Sequence, residues 1–95
     1  MWKSICSAGA IGSENGIIYA DEEYKGACRI TLEKCDNCYA VTCGVYGAMV
    51  HTAFSDLDHY QELYDAMKKE LQDFIDRDTT SDEELEFYDD FTRRF

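Results

Sequence analysis

The chain has 95 residues, with 20 Asp and Glu against 9 Lys and Arg, a formal net charge of −11, 45% hydrophobic residues and one Trp, seven Tyr and five Phe. That apolar content can fill one core and excludes global disorder, and the length excludes a catalytic domain plus a regulatory one. Residues 1–54 hold 6 acids and 4 bases and residues 55–90 hold 14 and 3, so the C-terminal region disfavours direct nucleic-acid or anionic-lipid contact and complements a basic protein.

Residues 1–11 lack a sustained apolar stretch and contain only Lys3 as a base, so no targeting signal is expected and the reading is a cytoplasmic protein. The uncharged run 38–54 is shorter than the roughly 20 apolar residues of a membrane helix and is broken by Thr42, Gly44, Gly47, His51 and Thr52. In a reducing compartment the five cysteines are expected as thiols, and an odd number cannot all pair within one chain.

In chain order, residues 1–16 are rich in Ser, Gly and Ala and read as a loosely held lead-in ending at the turn Ser13-Glu14-Asn15-Gly16. A short strand over 17–20 and an acidic connection over 21–26 follow. From 27, Cys28, Ile30 and Leu32 alternate with Arg29, Thr31 and Glu33, the period of a strand with one buried face. A two-residue turn at Asp36-Asn37 sets 34 opposite 39, 32 opposite 41, 30 opposite 43 and 28 opposite 45. Cys28, Ile30, Leu32, Val41, Cys43 and Val45 then share one face, and a slip of one residue would turn them all outward.

This register places Cys35 and Cys38 on the face opposite Cys28 and Cys43, so the four sulfurs cannot surround one zinc ion. Cys35-Asp36-Asn37-Cys38 stays open as a plain hairpin end, a thiol pair that oxidises, or half of a metal site completed by a second subunit. A thioredoxin-like site needs the motif at a helix N-terminus, whereas these flanks read as strands. Beyond Cys43, Gly44 and Gly47 bracket a reversal. With Val45-Tyr46 as the turn, Ala48, Val50, Thr52 and Phe54 fall on the buried face of the last strand and Met49 and His51 on the other.

A long helix is expected over 55–77, capped by Ser55 and Asp58, with Leu57, Tyr60, Tyr64, Met67, Leu71 and Phe74 as its buried stripe. A second, acidic helix over 81–94 opens on a capping box of Ser81 and Glu84, with Leu85, Tyr88, Phe91 and Phe95 on one side and Phe87 off it. The whole reads as one α+β domain: an antiparallel sheet of about four strands over 17–54, the long helix across one face and a short C-terminal helix beside it.

Chemistry-bearing patterns are sparse. His59 with Glu62 has a ligand-like spacing that recurs by chance, and His51 reads as a hydrogen-bonded structural histidine. The sequence contains no glycine-rich phosphate loop, nucleophile elbow or EF-hand spacing. No catalytic residue, metal or cofactor is therefore expected. The surface expected to bind a basic protein comprises Glu62, Asp65, Asp73, Asp82, Glu83 and Glu84, with Tyr88 and Phe91 as apolar anchors.

The stretch ITLEKCDNCYAVTCGVYGAMVHTAF, residues 30–54, followed by the Tyr-rich acidic helix, resembles a type of small bacterial domain without an established activity. Gly44-Val45-Tyr46-Gly47 and Met49-Val50-His51-Thr52 carry that resemblance. In size and acidity the chain is similar to bacterial immunity proteins, which neutralise toxins by tight binding; the likeness implies a non-enzymatic binding module. The alternatives are a small thiol or metal protein using Cys35 and Cys38, a homodimer or larger homo-oligomer, and a mimic of a nucleic-acid backbone.

Overall fold

A computed structural model of the protein describes residues 1–5 and 8–95; Cys6 and Ser7, which fall in the expected lead-in, lie outside the described residues. Five strands, β1 (Trp2–Ser4), β2 (Ile17–Tyr24), β3 (Cys28–Lys34), β4 (Tyr39–Val45) and β5 (Met49–Ser55), precede α1 (Tyr60–Asp76) and α2 (Ser81–Arg94). The strands form one antiparallel sheet in the order β1-β2-β3-β4-β5. The α+β class thus stands, with a fifth strand added.

The β3–β4 hairpin has the register read from the alternation, pairing Cys28 with Val45, Ile30 with Cys43, Leu32 with Val41 and Lys34 with Tyr39. The Cys35 amide donates to the Cys38 carbonyl at 2.9 Å and closes the turn. One face of the sheet, including Cys28, Ile30, Leu32, Val41, Cys43 and Ala53, packs beneath Tyr64, Met67, Leu71, Phe74, Phe87 and Phe91 of the helices. The two helices meet through the Phe74 and Phe87 rings, stacked 4.0 Å apart, and through an Arg94–Glu70 ion pair at 2.7 Å.

Several expectations need correction. The lead-in contributes a strand and further backbone bonds: β1 pairs with the end of β2, the Ile5 amide donates to the Asp21 carbonyl, and the Gly9 amide to that of Ile18. These are backbone bonds, so they leave no periodicity in the side chains. The acidic stretch from Asp21 belongs to β2, because its charges are met by neighbouring elements: Asp21 by Arg29 of β3, and Glu22 by Lys68 and Tyr64 of α1. The reversal after Val45 spans three residues, with Val45 paired to Met49 and Gly47 at φ 75°. That one extra residue inverts the expected faces of β5, turning Met49, His51 and Ala53 toward the helices.

At α1 the helix starts at Tyr60, and the residue that organises its approach is Asp56, whose carboxylate accepts the amides of Asp58 at 3.0 Å and His59 at 2.8 Å. Leu57 therefore precedes the helix and is exposed. The capping box of α2 lies one residue earlier than expected, between Thr80 and Glu83. In α2 the buried side contains Phe87 and Phe91, whereas Leu85 is 66% exposed. Tyr88 and Phe91 fit either face at 100° per residue; the stacking of Phe87 on Phe74 selects the one that excludes Leu85.

Candidate functional site

Two surfaces differ sharply in character: the outside of the helical layer and the sheet face that the helices leave open. On the helices, Glu62, Asp65, Asp73, Asp82 and Glu83 are exposed and Glu84 is half-buried. Asp73 pairs with Lys69 at 3.3 Å, Asp65 accepts from Nε2 of the Gln61 side chain at 2.9 Å, and Glu83 completes the capping box. Six of the nine lysines and arginines, Lys25, Arg29, Lys68, Lys69, Arg93 and Arg94, already face carboxylates. Internal pairing therefore leaves a large excess of negative charge on this side.

Of the two expected anchors, Phe91 is 0% exposed and packs with Phe87, Phe95 and His51, so it has no surface to offer a partner. Tyr88 is half-buried, its ring edge-on to Phe74, and burial, with the Glu84 charge, pushes its hydroxyl pKa up. The apolar group that α2 does present is Leu85. Asp82 and Asp89, three and four residues away on the same face, are exposed beside it, as is the adjoining Glu86.

The open sheet face holds a cleft of about 660 Å³ between residues 11–13 and the β4–β5 hairpin, with Arg29, Thr31, Glu33, Thr42 and Val50 among its walls. Its polar groups are tied to one another. Asp21, whose side chain is 0% exposed, receives both the Nε of Arg29 at 2.8 Å and Nη2 at 2.5 Å, together with the Thr31 hydroxyl at 3.0 Å. The Asp21 carboxylate in turn raises the guanidinium pKa. Glu33, 1% exposed, accepts the Gly16 amide at 2.7 Å and the Glu14 amide at 3.0 Å and so pins the loop over the sheet. The contact requires glycine at 16, where a Cβ would strike the Lys34 carbonyl oxygen.

The hydroxyl of Tyr46 donates to Glu23 at 2.5 Å, and that bond, ahead of burial, pushes its pKa up to about 12. Thr42 and Thr52 share a hydrogen bond of 3.1 Å across the same face.

Cys35 and Cys38 are both half-buried at the hairpin end. Burial, then the neighbouring Cys38 and Glu33, pushes the Cys35 thiol up, the reverse of what activates a thiol nucleophile. Cys28 and Cys43 are buried beneath the helices, where burial raises their thiols to about 11 and about 12. No cluster of three or more His, Cys, Asp or Glu residues suited to a metal occurs among the described residues. His59 bonds Asp56 through Nδ1 at 2.8 Å, and that hydrogen bond raises its pKa. His51 lies edge-on to Phe91, with Nε2 buried and without a hydrogen-bond partner among the described residues.

No helix among the described residues is long and apolar enough to cross a membrane. Comparison with protein-family models, curated proteins and solved structures gives no match to the chain.

Proposed function

We propose that the protein is a non-enzymatic binding module of the immunity type, which takes a basic protein partner against the outside of its helical layer. The observation that carries this reading is Leu85, 66% exposed on α2 among the exposed carboxylates of Asp82, Glu86 and Asp89. An apolar group flanked by carboxylates supplies a small surface to desolvate and a field to guide a cation toward it. Glu62, Asp65, Asp73, Glu83 and Glu84 extend the field, and Leu85 takes the anchoring role first assigned to Phe91.

The test begins by capturing partners from the source organism with the wild-type chain and with a variant combining Asp82→Asn, Leu85→Ala and Glu86→Gln. A partner that depends on this face should be lost with the variant. Its association rate constant should fall about tenfold or more between low and physiological salt. Rates that stay flat with ionic strength, or capture that ignores the variant, overturn the reading.

A further inference from the structure

We propose that β5 is a self-pairing edge through which two copies of the chain join, antiparallel and centred on Thr52, into one continuous sheet. The two edges of the sheet are treated differently. On one side, β2 is flanked by β1 and by the backbone bonds of Ile5, Gly9 and Ala10, and β1 carries Lys3. On the other, β5 pairs only with β4 among the described residues, over seven residues in unbroken register and without a bulge.

Edge strands are ordinarily protected by charge, proline, bulges or brevity. Met49-Val50-His51-Thr52-Ala53-Phe54-Ser55 has no Lys, Arg, Asp, Glu or Pro. The other strand without an acid or a base is β4, in the sheet interior, so β5 has the composition of a strand with two neighbours.

Charge selects the occupant. A strand without charges is matched by another uncharged strand, and β4, the alternative within this chain, is already flanked on both sides. A second β5 fits with its own register: centred on Thr52, Val50 of one copy lies opposite Phe54 of the other, twice. These are the two side chains β5 exposes most on the open face, at 80% and 60%. Paired β-branched and aromatic residues stabilise adjacent strands, and the two-fold relation makes the interface self-complementary. Both helical layers then lie on the same side of the joined sheet, and their carboxylates oppose association until salt screens them.

Sedimentation equilibrium of the wild-type chain should give a monomer–dimer equilibrium with a midpoint of roughly 10–100 µM, as befits a small interface. Association should tighten with added salt, opposite in sign to capture of a basic partner. Val50→Lys with Phe54→Lys should weaken it by about tenfold or more, and Val50→Lys with Phe54→Glu, which sets opposite charges across both pairs, should restore it to within about threefold. Leu85→Ala, which removes the partner anchor on α2 without changing its charge, should leave it unchanged. A wild-type chain that stays monomeric throughout this range leaves the edge to a different chain and overturns the proposal. So does equal loss in both double variants while their circular dichroism stays native.

Discussion

Both faces of the sheet contain buried side chains, but they are held in different ways. Beneath the helices, Cys28, Ile30, Val41, Met67, Leu71 and Phe91 are almost wholly removed from water, and contact among apolar groups does the holding. On the open face the buried groups include two carboxylates, Asp21 and Glu33, each surrounded by donors. The first face is tolerant of detail and costly to hollow out. The second depends on individual hydrogen bonds, because a buried charge without partners is far more expensive than a buried methyl group.

The largest test of this contrast uses the same residue type on each side. Phe91→Ala should cost about 3–5 kcal/mol of unfolding free energy in urea titrations, whereas Phe54→Ala, at a position 60% exposed, should cost less than about 1 kcal/mol. Comparable losses would erase the distinction between the faces.

Next in size is Asp21→Asn, which weakens the bidentate ion pair. The partner Arg29 keeps 43% of its side chain in solvent, so the loss should be about 1–3 kcal/mol, short of that for a fully buried pair. Adding Arg29→Met should recover part of it in a double-mutant cycle. Thr80→Ala then sharpens the account of α2, with an expected loss of about 1 kcal/mol from the capping box.

The smallest effect lies at the exposed approach to α1. The hydrogen bond with Asp56 raises the His59 pKa above its ordinary 6.5. The stabilisation from this pair is complete below the unfolded pKa and is lost as pH rises through the raised folded value. Histidine NMR titration should show the His59 midpoint falling toward 6.5 in Asp56→Asn, with scarcely any change in the urea midpoint at pH 8.

The legible parts of the fold were those where side chains repeat with a period. Cys28, Ile30 and Leu32 against Val41, Cys43 and Val45 fixed a hairpin register that the structure reproduces residue for residue. The last strand was found but its two faces were exchanged, since a glycine-flanked reversal of two or three residues looks the same in sequence yet inverts the facing of the strand after it. The N-terminal strand was invisible because, Trp2 apart, it is held through its backbone. On α2 the acidic residues were plain, but the exposed Leu85 was not, because two overlapping apolar faces share Tyr88 and Phe91. The buried roles of Asp21 and Glu33 depend on donors brought from 8 to 19 residues away, and no local pattern announces them.

Trp2 is the single tryptophan of the chain. Its indole Nε1 donates to the Gln72 side chain at 2.9 Å, and its ring lies 5.1 Å from that of Tyr24, with the Lys68 ammonium 5.3 Å from its centre. The fluorophore thus sits at the seam between the first strand and the long helix, not within the main core. Emission will consequently report release of the amino-terminal strand, and a spectral change that runs ahead of the far-ultraviolet signal marks fraying at that seam before the body of the protein melts.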